Sequence, residues 1–318
     1  MMQIVLIGIG AGAAAGLLFA SVTSGSLLAV LLFYLAPLPI LIAALGWSHW
    51  SALIAALVGA VSLASIFGWV FFLAFIATAG LPAWWLGYLA MLARPVGGNG
   101  QAPAVEWYPP GRLVAWAAMV AGAVVMVAIF NFGIDAESFR TNLNNALSRI
   151  LRADDSGTPN ENAKRLVEFL VTAVPPAAAV LATLTNVFNL WLAGVVVRFS
   201  GRLTRPWPDI PGMTFPRLMT GALGAALALS FLGGMLGIVA GVVGAALLTA
   251  YGVLGFAVLH TVTRGMGARG LLLGGVYAAV VVLGWPMLVL SLLGLMEGTI
   301  DLRARVARTR GPPPPAPM

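Results

Sequence analysis

Apolar segments of the length that crosses a bilayer recur along this chain, at about 2–22, 27–46, 50–68, 69–93, 113–133, 166–198, 217–236, 238–260 and 271–297. A helix of roughly 20 apolar residues spans ~30 Å of hydrocarbon and satisfies its own backbone donors and acceptors. Of the 318 residues, 60% are hydrophobic and 8% charged, against about 25% charged in a soluble domain. The polar surface is too small to cover a globule of this size, so the solvent is lipid. The predicted fold class is all-α: a polytopic transmembrane helical bundle with eight or nine spans. The connectors within 50–93 and 217–260 are the shortest, and one segment is expected to be re-entrant or broken. The first stretch, MMQIVLIGIGAGAAAGLLFASVTS, has the small residues of a signal peptide but no basic n-region, and reads as an uncleaved first span.

Three hydrophilic pieces interrupt the pattern. Residues 94–112 are rich in Gly and Pro and carry Trp107 and Tyr108, which suit a headgroup layer. Residues 134–165 are an extramembrane segment in which Phe139, Leu143, Ala146, Leu147, Ile150 and Leu151 follow the spacing of one helical face. Arg140, Asn144, Asn145, Arg149 and Arg152 take the other face, so a short amphipathic interfacial helix is predicted. Thr158, Pro159 and Glu161 have the order of a capping box that restarts a helix, and that helix meets Pro175 and Pro176. The double proline either breaks the helix or opens a span at its interface. The third piece, 198–217, holds four prolines and four arginines. Residues 1–300 make one transmembrane domain, and 301–318 read as a basic, Pro-rich, disordered tail.

The net charge of +7 does not imply nucleic acid, because the cations lie in short pieces between apolar segments, as membrane-flanking arginines do. Nine crossings would put 134–165 and the tail on one face and divide the basic residues almost evenly, leaving orientation open; a cytoplasmic tail is the preferred expectation. One lysine against sixteen arginines, with abundant Ala, Gly and Pro, fits a GC-rich bacterial genome and so a multi-pass protein of the bacterial cytoplasmic (inner) membrane. No cysteine is present, which excludes disulfides and thiolate metal sites.

The glycine-rich VLIGIGAGAAAG lies inside an apolar run with no acid before Glu106, so it is not a dinucleotide fingerprint. Gly8, Gly12 and Gly16, with Ala11 and Ala15, instead form a small-residue ridge for close helix packing, within the bundle or against a partner. Gly233, Gly237 and Gly241 suggest a second ridge. Asn186 and Asn189 share a helical face near Thr183 and Thr185. These four either contact a neutral polar ligand or bridge helices. His49 and His260 sit at span ends. No HExxH, GxSxG, Walker A loop or paired intramembrane acids occur, so no enzyme, metal or cofactor is expected. At the end of the last apolar run, LLGLMEGTIDLRARVARTR carries Glu297, Asp301 and a series of arginines, with Asp301 and Arg305 spaced as an i, i+4 pair.

The order of several motifs resembles the YybS-like family of bacterial polytopic membrane proteins, defined by a domain of unknown function. They are PLP at Pro37–Pro39 with GWSHWSALIAALVGA, then GLPAWWLGYLAM, FPRLMTG, GVLGFAVLHTVTRG and the closing GLMEGTIDLRAR. The resemblance implies that Gly294, Glu297, Asp301 and Arg303 are family positions. That family is distantly similar to the substrate-capturing subunits of energy-coupling-factor transporters. By that likeness a separate ATPase and a coupling membrane subunit would be partners, docked at Ala11 and Ala15. Two readings follow: a substrate-binding or permease-like transport component, or a non-catalytic scaffold or assembly factor. A lipid-handling enzyme is a weaker third.

Overall fold

The structure, a computed structural model, describes residues 1–97, 104–152 and 161–310. Seven of its helices are long and apolar enough to cross a membrane. The chain is a multi-pass helical protein; its one sheet among the described residues is a two-stranded hairpin.

The first group of helices is α1 (Met2–Ala20), α2 (Leu27–Tyr34), α3 (Pro37–Gly46), α4 (His49–Phe67), α5 (Trp69–Phe75) and α6 (Leu81–Ala90). Pro37 and Pro39 lack the backbone N–H that would continue α2, so one apolar run becomes two helices meeting at Leu35 and Ala36. Between α5 and α6 the chain widens into a π turn, Ile76–Gly80, just before Pro82, whose missing donor the wider turn accommodates. Phe75 is fully buried at that turn. It packs edge-on to Phe19, with ring centroids 5.3 Å apart, over the bare backbone of Gly59.

Residues 94–112, expected to be loop, contain β1 (Ala93–Val96) paired antiparallel with β2 (Ala104–Trp107), Arg94 opposite Glu106. The second group comprises α7 (Pro110–Phe132), α8 (Ala136–Arg152), α9 (Glu161–Phe199), α10 (Leu218–Ser230) and α11 (Gly234–Val262). The amphipathic pattern of α8 seals Phe139 and Leu143 against this group, while Ile150 stays exposed. The capping residues expected at 158 and 159 lie outside the described residues. α9 runs through Pro175 and Pro176 without ending. At ~1.5 Å per residue its 39 residues measure about 58 Å, so its first turns project beyond the apolar core. Two hydrophobic cores result, and both α7 and α9 contribute to each.

The segment expected as one span at 271–297 is two helices, α12 (Arg269–Leu283) and α13 (Pro286–Ile300). Gly284, at φ 73°, turns the chain where an L side chain is disfavoured, and Pro286 opens α13. α13 crosses α11 at close range. A Cβ on Gly255 would overlap the Leu290 carbonyl, and one on Gly294 the Tyr251 carbonyl. Of the expected ridge at Gly233, Gly237 and Gly241, only Gly237 packs closely, its Cβ position 3.2 Å from the Ser230 carbonyl oxygen; Gly233 caps α11 at φ 72°, and Gly241 faces open space. Residues 302–310, expected in a disordered tail, form α14 (Leu302–Arg310); 311–318 lie outside the described residues.

Candidate functional site

The intramembrane polar group predicted from sequence lies on the inner face of α9. Asn186 Nδ2 donates to the Ala117 carbonyl of α7 at 3.3 Å. Asn189 Nδ2 donates to the Tyr34 carbonyl at 2.9 Å and to Thr185 O at 2.8 Å. Tyr34 is the last residue of α2, so this amide reaches the backbone exactly where the PLP break interrupts the ladder. Thr183 donates to Ala179 O in its own helix, and Thr185 is half-buried. The Nδ2 groups of both asparagines thus join helices, while the buried Asn189 Oδ1 has no hydrogen-bond partner among the described residues.

The ridge on α1 is also internal. A Cβ on Gly8 would meet Ile54 at 2.6 Å, one on Gly12 the Ala55 carbonyl at 2.6 Å, and Gly16 faces Gly59. Ala15 is fully buried and Ala11 partly so, both against the first core. His49 lies against Trp50 and Tyr88. His260 Nδ1 sits 3.0 Å from Phe256 O.

The C-terminal motif converges into a clamp. α13 ends at Asp301, whose φ of 51° is a left-handed turn that Asp tolerates better than most residues. The reversal folds α14 back, so the ion pair is Arg303 Nε to Glu297 Oε1 at 2.7 Å and not the expected Asp301–Arg305 contact. Arg305 instead donates to Ile300 O. Glu297 Oε2 accepts from the Arg303 backbone N–H at 3.0 Å. The Arg303 guanidinium also donates to Pro211 O at 2.6 Å and Met213 O at 2.9 Å, while Thr261 donates to Pro211 O. Side-chain exposures of 6% and 12% remove the pair from water. Gly294, one turn before Glu297, lets α13 lie close enough to α11 for this to form.

Arg205, which nothing in the sequence singled out, acts in the same way. It donates to Ala90 O and Tyr108 O, both at 2.8 Å, closing the C-terminal end of α6 where unpaired carbonyls favour a cation. Arg202 lies over Trp47 and Arg198 over Trp207. The hairpin, the 200–217 loop and the C-terminal clamp therefore gather at one end of the bundle.

The opposite end carries α8 and the start of α9. Asp135 accepts from the backbone N–H groups of Glu137 and Ser138, as an N-cap does. Those bonds, with the Ser138 hydroxyl, hold its carboxyl below the usual aspartate range. A lowered carboxylate value gives α8 stability that is present above the ordinary value and lost as pH falls through the lowered one. Between the two helices is a cleft of about 540 Å³ lined by Arg140, Asn144 and Asn145 of α8 and Glu168, Val171 and Thr172 of α9, a volume typical of ligand sites. Arg140 and Glu168 are exposed, and they form none of the ion pairs found among the described residues. Pro175 and Pro176 have no N–H to offer the carbonyls four residues back, those of Val171 and Thr172. The sequence displays the α8 half of this cleft as a polar face; the α9 half has no such signal, because a span read from 166 shows no partner for its first turns.

No family model, no curated protein and no solved structure matches this chain.

Proposed function

We propose that this multi-pass membrane protein is a non-catalytic ligand-capturing component, in the manner of the substrate-binding part of a transport system, and that the α8–α9 cleft is where it binds. The observation that carries this reading is the contrast between the two polar groups. The Nδ2 groups of the intramembrane asparagines already hold backbone carbonyls of neighbouring helices, whereas the cleft presents a cation, a carboxylate, amides and hydroxyls on an open face of the bundle.

Eight crossings and a broken pair, α12 and α13, that enters and leaves at the same end fit the contacts. Arg303 binds the 211–213 backbone, so the tail shares an end with the 200–217 loop. Of the 17 Lys and Arg, Arg140, Arg149, Arg152, Lys164 and Arg165 belong to the α8 end. The remaining twelve belong to the other end. By the positive-inside rule the clamp is cytoplasmic and the cleft faces outward. The inner membrane of a bacterium is the compartment this reading assigns, and any energy for transport would come from a separate ATPase.

A scaffold reading has one observation of its own: α14 presents exposed Arg305 and Arg308 at the basic end, suited to anionic headgroups or an acidic partner. The deciding experiment is purification of the tagged protein from native membranes with mass spectrometry of retained small molecules. Capture predicts one enriched polar compound, lost in Asn144→Leu/Asn145→Leu and kept in Asn186→Leu. A well-folded protein that retains nothing would overturn it.

A further inference from the structure

The position of the cleft along the bundle is fixed by two hydrogen bonds. Asn186 is level with Ala117. From there α7 runs to its end at Phe132, while α9, antiparallel to it, runs back by as many residues to Val171. Asn142 Nδ2 donates to the Phe132 carbonyl, which holds α8 at that same level. The cleft therefore lies where the apolar length of α7 stops, at the depth of lipid headgroups, and not out in solution. Val171, its apolar lining residue, packs partly on the second core, and Phe169 and Leu166 are exposed on the neighbouring face of α9.

The lining chemistry is that of a zwitterion. Arg140, with Asn144, Asn145 and Thr141 around it, offers a guanidinium and neutral donors to a phosphate. Across the cleft, Glu168 offers a carboxylate. Its two oxygens accept from the N–H donors of an ammonium. A quaternary amine, which has none, could use only the charge.

We propose that the cleft holds the phosphoethanolamine headgroup of a membrane phospholipid, its phosphate at Arg140 and the asparagines, its ammonium at Glu168. This rests on the ligand-capture reading of the same cleft and names the ligand class. Because the cleft faces outward, the lipid is taken from the outer leaflet.

The test titrates the purified full chain in detergent with dioleoyl phosphatidylethanolamine, phosphatidylcholine, phosphatidylglycerol and soluble glycerophosphoethanolamine, read by native mass spectrometry. Phosphatidylethanolamine should bind about tenfold more tightly than the other two lipids, as expected for one charge-assisted hydrogen bond. Glu168→Gln should erase that preference, and Arg140→Gln should weaken phosphatidylethanolamine and phosphatidylcholine alike. Both positions are exposed, so both variants should fold. Equal binding of the three lipids, unchanged by Glu168→Gln, overturns the proposal. Glycerophosphoethanolamine binding as tightly as the lipid also overturns it, while leaving polar-ligand capture intact. If none of the four binds but a polar compound still co-purifies and is lost in Asn144→Leu/Asn145→Leu, the headgroup is wrong and the cleft reading stands. If nothing is retained, both fall.

Discussion

Arg303 is the residue on which the basic end depends, because it answers one carboxylate and two backbone carbonyls at once. Removing one member of a buried pair strands the other, at a cost of about 3–5 kcal/mol. Glu297→Gln should therefore lower the thermal unfolding midpoint sharply. Replacing both, Glu297→Leu with Arg303→Met, should recover much of the loss, since a buried ion pair is often no better than an apolar pair. A double variant as unstable as the single one would mean that the carbonyl contacts, not the charges, dominate. The arginines of this end were legible as a class, yet their partners were not. Glu297 and Arg303 are six residues apart, a spacing no helix brings together, and only the left-handed turn at Asp301 makes it a contact. Asn186 and Asn189 teach a related lesson. Their shared face was plain in the sequence, but the carbonyls that occupy them are 69 and 155 residues away along the chain.

Among the elements, the pair α11 and α13 shows how glycine can decide helix geometry. At Gly255 the facing carbonyl of Leu290 occupies the place of a methyl group, so the two backbones touch without side chains between them. Gly255→Ala should separate them and destabilise the protein by about 1–3 kcal/mol, the usual cost of overpacking. Gly241→Ala, in open space and mid-helix, should be neutral or mildly stabilising. Comparing the two unfolding midpoints checks this. Periodicity announced nearly all of these helices, because an apolar run of spanning length has few other solutions. It failed where a local break mattered more than mean hydropathy. Gly284 and Pro286 split a run that otherwise reads as one span, and spacing alone named the wrong glycine ridge, since spacing does not say what lies opposite.

For the molecule as a whole, the tail shares an end with the 200–217 loop, and the proposed topology gathers twelve of the 17 Lys and Arg there, a count that is balanced when the tail is placed on the other face. The absence of cysteine makes the orientation simple to test with single cysteines on the natural background. In intact cells Glu137→Cys should react with a membrane-impermeant maleimide, and Arg308→Cys only after permeabilisation. Nine crossings would put both on one face, so equal labelling would refute the arrangement. The same topology gives α9 a mechanical character. One continuous helix carries Glu168 and Thr172 at the cleft, the two asparagines along both cores, and Arg198 against Trp207 at the opposite end. Such an element ties the two ends of the bundle together: the asparagine contacts pin its middle, and Pro175–Pro176, between those contacts and the cleft, is the place where it can bend.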